Sequence, residues 1–126
     1  MDKLHERRIK IVQNLYAKSF QGEAHITYPN MEEKEVSDSI LANKEPLDEH
    51  ISTNAPKYPL DKIAKIDLSI LRLALYELLI SKQEPVKVVI NEAVELAKEM
   101  GNERSYAFIN AVLGSILKTI QPAEEV

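Results

Sequence analysis

The segment that decides the fold runs from Leu60 to Ile80 and reads LDKIAKIDLSILRLALYELLI. Its apolar residues recur at the three- and four-residue spacing of an α-helix, and the alternation typical of a strand is not sustained. Because the apolar positions cover more than half of the helix circumference, we expect neighbours to pack on several sides. The sequence therefore predicts a buried central helix, with core positions at Ile63, Ile66, Ile70, Leu71, Ala74, Leu75, Leu78 and Leu79.

Helical spacing also dominates the segments before and after this stretch. Gly22 begins a predicted loop that extends to Asn30, Pro46 is predicted to be the first residue of a helix, and Gly101 marks a helix end. We therefore predict an all-α bundle of about six helices. The predicted helices span residues 3–20, 31–41, 46–54, 60–80, 85–100 and 103–120.

The length of the chain indicates its domain organisation. A chain of 126 residues usually forms one core, so residues 1–126 are predicted to be a single domain. The two-proline connector APKYP at residues 55–59 divides an N-terminal helical part, residues 3–54, from a C-terminal three-helix part, residues 60–120.

Composition indicates the broad class of protein. The chain is 44% hydrophobic and 29% charged and has no Cys, which is typical of a globular protein without disulfides. Its apolar runs are too short to cross a bilayer, and the charged start MDKLHERR lacks the apolar core of a secretory signal. We therefore expect a cytoplasmic protein with no membrane partner.

Charge is distributed unevenly along the chain. Residues 1–20 carry five Lys and Arg against two acids, whereas residues 21–54 carry two against eight. The net charge of −4 argues against a uniformly basic coat for nucleic acid. The basic first segment nevertheless leaves room for one local phosphate-binding stripe.

Residue types that carry catalysis or bind cofactors are sparse. The three glycines, at positions 22, 101 and 114, cannot form a glycine-rich phosphate loop. The three histidines lie in different segments and have no cysteine beside them, unlike the ligands of a zinc site. Acidic runs such as residues 32–35 are typical of solvated helix faces. We expect no enzymatic activity, no cofactor and no metal site.

The first helix is predicted to carry a basic stripe. At 100° per residue, Lys3, Arg7, Lys10 and Asn14 fall within about 60° of one another, with Lys18 a little further round. Such a stripe can follow the phosphates of a single strand, and Gln13 or Tyr16 beside it could hydrogen-bond or stack on unpaired bases. A solvated amphipathic face without a ligand is the alternative interpretation.

Three later segments resemble the NusB family of transcription antitermination factors. They are ILRLALYEL at residues 70–78, PVKVVINEAVELAK at residues 85–98 and FINAVL at residues 108–113, in the family's order and spacing. The pair Arg7-Arg8 and the segment VQNLY at residues 12–16 resemble the family's basic first helix. The resemblance covers about three quarters of the chain and implies two small helical subdomains packed across each other.

The resemblance also implies a function. NusB pairs with NusE, a small-subunit ribosomal protein, and together they bind the single-stranded boxA element of nascent RNA in the transcription elongation complex, notably during ribosomal RNA synthesis. Some members of the family form homodimers through the face used for partners. Tyr76 and Glu77 are expected to face NusE. RNA is expected to contact Lys3, Arg7, Arg8, Lys10, Gln13 and Tyr16.

Several polar residues lie within apolar helices. Asn91 and Asn110 are interpreted as buried amides that tie helices together. Arg72 is predicted to be an intramolecular anchor. For Glu77, an interface with the partner and an ion pair within the fold, with Arg72 or a lysine of a neighbouring helix, both remain open.

The chain departs from the family's pattern at three places. The family commonly reads Asn-Gly-Val-Leu-Asp where this chain has NAVLG at residues 110–114, so an acidic residue associated with the RNA complex is replaced by Gly114. Val86 stands where the family has an aromatic residue. The segment from residue 21 to 38 is shorter than is usual.

Two further functions are therefore weighed against antitermination. The first is a NusB-like protein-interaction module with weak or no RNA binding, which the acidic net charge and Gly114 favour. The second is the RNA-targeting domain of an RNA methyltransferase, because cytosine methyltransferases that act on ribosomal RNA can carry a NusB-like domain.

Overall fold

The computed structural model describes residues 2–20 and 27–120. These residues form six α-helices and no strand, which confirms the all-α prediction. The helices are α1 (Lys3–Lys18), α2 (Lys34–Ala42), α3 (Lys44–Asn54), α4 (Lys65–Tyr76), α5 (Val86–Met100) and α6 (Ser105–Ile120). No helix within the described part of the chain is both long enough and apolar enough to cross a membrane.

Helix α4 lies at the centre of the molecule. Every residue from Asp67 to Leu75 is buried, because α1, α3, α5 and α6 all pack against this helix. The core residues of all six helices belong to one continuous apolar cluster. The central position predicted for this segment is therefore confirmed.

The predicted helix over residues 60–80 is divided into three pieces. A 3₁₀ turn covers Leu60–Lys62, and the extended backbone of Ala64, with ψ of 135°, separates this turn from α4. After α4 the chain widens into a π-helical turn, Glu77–Ser81, and Lys82 ends it with φ of 52°. The spacing of apolar residues does not reveal these changes. It indicates which side chains are buried, and does not distinguish the hydrogen-bond patterns of 3₁₀, α- and π-helical turns.

Two helix boundaries also differ from the prediction. Helix α3 begins at Lys44, so Pro46 lies in the first turn but is not the first residue. A proline is tolerated there because the N–H groups of the first turn have no partner within the helix. Helix α1 ends at Lys18, and the side chain of Phe20, predicted to join the apolar stripe, is 60% exposed beyond that end. Of the predicted loop from Gly22 to Asn30, residues 22–26 lie outside the described residues.

The interpretation of Asn91 and Asn110 as buried amides is wrong, because both residues are exposed. The buried amide is Asn14, which the sequence placed on the basic stripe. The prediction for Arg72 is confirmed: its Nε and Nη2 donate to the two carboxylate oxygens of Asp48, each at 2.8 Å. This pair joins α4 to α3.

Candidate nucleic-acid interface

The exposed half of α1 carries most of the predicted RNA-binding side chains, and Arg7 and Tyr16, nine residues apart, lie at its opposite edges. Asp2 is the N-cap of this helix. Its side chain accepts a hydrogen bond from the backbone N–H of Leu4 at 3.0 Å and so satisfies a donor of the first turn. Lys3, Gln13 and Tyr16 are exposed. The side chains of Arg7 and Lys10 are 50% and 42% exposed.

An acidic segment lies along this face. Glu33, in the 3₁₀ turn Met31–Glu33, accepts hydrogen bonds from Nε of Arg7 at 3.2 Å and from Nη2 at 3.1 Å. Oε2 of Glu32 forms an ion pair with Nζ of Lys10 at 3.0 Å. The two pairs differ in burial, since the Glu33 side chain is 10% exposed and the Glu32 side chain is 55% exposed.

Two side-chain amides, the buried Asn14 and the half-buried Asn30, hold the acidic segment against α1. The side chain of Asn14 donates to the backbone carbonyl of Asn30 at 2.9 Å and accepts from the backbone N–H of Asn30 at the same distance. The side chain of Asn30 donates to Oε1 of Gln13 at 2.9 Å and to the carbonyl of Lys10 at 3.1 Å. Asn14 therefore anchors the segment that neutralises the stripe, and is not part of the exposed stripe itself.

Arg8 does not lie on the exposed face. Its side chain is only 5% exposed, and its Nε and Nη2 donate to the two carboxylate oxygens of Glu77 at 2.9 and 2.7 Å. Such a bidentate pair is a strong, geometrically specific contact, and it raises the pKa of Arg8 above the usual value. Glu77 thus has an internal partner, but that partner is neither Arg72 nor a lysine.

Aromatic side chains continue the exposed face beyond the end of α1. The rings of Tyr16 and Phe20 meet edge to face with centroids 4.8 Å apart. The ammonium of Lys65, from the first turn of α4, lies 5.5 Å from the Phe20 ring centroid. Phe20 and Lys65 were not predicted as site residues. Phe20 was assigned to the apolar stripe because the predicted helix extended to residue 20, whereas a helix that ends at Lys18 leaves Phe20 outside that stripe.

Tyr76 and Glu77, the residues expected to face NusE, line a groove of about 200 Å³ between α1 and the π-helical turn. Leu4, Ile11 and Leu73 supply its apolar wall. Tyr76 also shares a hydrogen bond of 2.9 Å with Ser39. The remaining lining residues are Arg7, Arg8, Val36, Ser81, Gln83 and Glu84.

His5 connects the first turn of α1 to α5. Its Nδ1 contacts the carboxylate of Glu92, and its Nε2 lies 2.7 Å from Oε2 of Glu99. Hydrogen bonding to Glu92, the largest cause, and to Glu99 raises the pKa of His5 above its usual 6.5 against the opposing effect of burial. Across residues 2–20 and 27–120, no group of three His, Asp or Glu side chains is placed to hold a metal ion.

Sequence comparison identifies relatives over most of this architecture. A sequence profile of the NusB family matches residues 5–118. The transcription antitermination protein NusB of Clostridium tetani (strain Massachusetts / E88) is 53% identical over 79 residues, which cover 63% of this chain and 52% of the relative. The NusB protein of Clostridium botulinum (strain Alaska E43 / Type E3) is 46% identical over 85 residues, covering 68% of this chain and 64% of the relative. The chain thus spans between 52% and 64% of the length of these two relatives.

Solved structures share the fold over nearly the whole chain. T. maritima NusB superposes with a TM-score of 0.80 at 29% identity and covers 98% of this chain and 96% of its own. A structure of antitermination factors NusB and NusE in complex with dsRNA has a TM-score of 0.75 at 22% identity, covering 94% of this chain and 99% of that one. The second likeness shows the fold alone. The profile match and the arrangement of helices together place the chain in the NusB family.

Proposed function

We propose that this protein is a non-enzymatic transcription antitermination factor that pairs with NusE and binds boxA-type single-stranded RNA in the transcription elongation complex. The observation that carries the proposal is the exposed half of α1, which has cationic side chains on one side and an exposed aromatic pair on the other. Single-stranded RNA is bound by this combination of cations that follow the backbone and rings on which bases stack. Membership of the NusB family supports the same function.

The cationic and the aromatic side chains have separate roles in this proposal. Lys3, Arg7 and Lys10 contact phosphates, and Tyr16 with Phe20 offers a stacking surface for an unpaired base. Arg7 can contact a phosphate while it stays paired with Glu33, because that pair uses two of the five guanidinium N–H donors. Arg8 acts indirectly, since its buried pair with Glu77 holds α1 in position.

The groove beside Glu77 is the proposed contact for NusE. Glu77 and Glu84 line it beside Arg7 and Arg8, and the two carboxylates are the groups that suit a basic partner, as ribosomal proteins usually are. Both oxygens of Glu77 bind Arg8, but a carboxylate oxygen has a second lone pair for a donor on a partner. A basic partner would also supply phosphate contacts that this acidic chain lacks.

The test is the affinity of the NusE complex for a fluorescently labelled boxA-type RNA, measured by anisotropy at several salt concentrations. The variant is Lys3→Ala with Lys10→Ala, because replacing Arg7 would leave the buried Glu33 without its cation. We expect weaker binding and a salt dependence flatter by about 0.7 in slope for each lost phosphate contact.

The matched control is Lys44→Ala with Lys87→Ala, which removes the same charge from exposed positions on α3 and α5. Equal losses for both double variants would contradict the α1 site. A complex with NusE that forms normally but has no measurable RNA affinity would instead favour the protein-interaction module, which the neutralised stripe makes the second candidate.

A further inference from the structure

The residues proposed to bind RNA are already engaged by one segment of the same chain. Residues 30–33 contact three of them at once: Glu33 binds Arg7, Glu32 binds Lys10, and Asn30 donates to Gln13. A carboxylate offers a cation the same kind of anionic oxygens as a phosphate. The segment therefore engages cations that an RNA backbone would also use.

The two acidic residues of the segment are held differently. Glu33 is buried and fixed, because Ser37 donates to its backbone carbonyl at 2.8 Å and its carboxylate faces Arg7. Glu32 is exposed, and its only ion pair among the described residues is with Lys10. Exposed pairs of this kind are weak and exchange readily with other ions. Only the Glu32 side chain can leave its cation without disturbing the core.

Both members of the exposed pair are charged at neutral pH. The backbone N–H of Glu32 and the ammonium of Lys10 lower the pKa of Glu32, and Glu32 in turn raises the pKa of Lys10. The hydrogen bonds between the Asn14 side chain and the Asn30 backbone keep residues 30–33 beside α1 whether or not Glu32 is paired with Lys10. The Glu32 carboxylate therefore stays close to Lys10 when the ion pair breaks, and can form the pair again.

We propose that Glu32 is an autoinhibitory gate that occupies Lys10 in the free protein and must be displaced when RNA binds. The inference rests on the proposed RNA-binding function and adds its regulation. RNA phosphates compete with Glu32 for Lys10, while Glu33 keeps the Arg7 guanidinium directed along the stripe. The gate makes RNA affinity lower than the exposed cations alone would give.

The experiment measures boxA-type RNA binding by the NusE complex with Glu32→Gln, which keeps the shape of the side chain and removes its charge. The variant is expected to bind up to about fivefold more tightly at low salt, corresponding to loss of one exposed ion pair. Glu45→Gln is the matched control, because Glu45 is exposed on α3 and has no ion pair among the described residues. It should leave the affinity unchanged.

A second pair of variants tests whether Glu32 acts through Lys10. In a Lys10→Ala background, Glu32→Gln should give no gain, because no cation remains to be released. A gain that persists in this background, or an equal gain for Glu45→Gln, would overturn the gate. Equal binding by the wild type and Glu32→Gln would also overturn it and leave the RNA function standing. Absence of RNA binding by every variant, with NusE association intact, would overturn the RNA function and the gate together.

Discussion

At the scale of single residues, Gly101 and Gly114 have opposite requirements. A Cβ added to Gly101 would lie 2.4 Å from Oγ of Ser105 and 2.8 Å from the carbonyl oxygen of Ala97. A Cβ added to Gly114, in the middle of α6, would meet nothing within 4 Å. Gly101 is thus needed because α5 ends close to the start of α6; its backbone is extended and not left-handed. Nothing in the packing requires Gly114.

These two glycines give a matched pair of substitutions. Gly114→Ala should raise the free energy of unfolding by about 0.5–1 kcal/mol, because alanine restricts the unfolded chain and favours the helix. Gly101→Ala should lower it by about 1–3 kcal/mol through overpacking against Ser105. Urea unfolding followed by circular dichroism measures both. A loss of stability for Gly114→Ala would contradict the open space beside that position.

At the scale of elements, ion pairs join α1 to three other parts of the bundle, in addition to its apolar packing against α4. His5 joins α1 to α5, Arg8 joins it to the π-helical turn, and Arg7 joins it to the 3₁₀ turn before α2. Only the His5 contacts depend on pH near neutrality, because the imidazole is charged only when protonated.

The His5 contacts predict a pH-dependent contribution to stability. Because the folded protein raises the pKa of His5, this contribution is complete below the unfolded value of 6.5 and is lost as pH rises through the folded pKa. The stability difference between the wild type and His5→Gln should therefore shrink from about pH 6 to about pH 8. Urea midpoints across this range measure the difference, and His50→Gln, on α3, is the control. A difference that grows with pH would contradict the ion pair.

At the scale of the whole molecule, two buried Arg–carboxylate pairs join different parts of the bundle. Arg8 binds Glu77 beside the groove proposed for NusE, and Arg72 binds Asp48 outside the residues that line this groove. Both pairs are bidentate and mostly buried. They allow the effect of a lost ion pair on folding to be separated from its effect on partner binding.

Glu77→Ala and Asp48→Ala should each lower the free energy of unfolding by about 3–5 kcal/mol, because each leaves a buried guanidinium without its carboxylate. Only Glu77→Ala is expected to weaken the association with NusE, measured by calorimetry on the folded fraction of each variant. The loss should be at least about thirtyfold, since truncating one member of an interfacial charge pair costs about 2–5 kcal/mol. Equal NusE affinity for the two variants would remove Glu77 from the interface.

The sequence by itself determined the helical class, the central position of α4 and the exposed face of α1. These features follow from the spacing of apolar residues, which is a local property of each helix. The anchor role of Arg72 was also predictable, because a charged residue within an apolar helix requires a partner. The partner itself, Asp48, lies in another helix and was not predictable from the spacing.

Only the tertiary structure decided which charges are free to act. Arg8 meets Glu77 across 69 positions of sequence, and Arg7 meets Glu33 across 26. Helical spacing placed Asn14 on the exposed stripe, but the packing of residues 30–33 against α1 buries it and adds carboxylates beside Arg7 and Lys10. Such long-range pairs depend on how the helices pack around α4, and the period of a single helix carries no information about that packing.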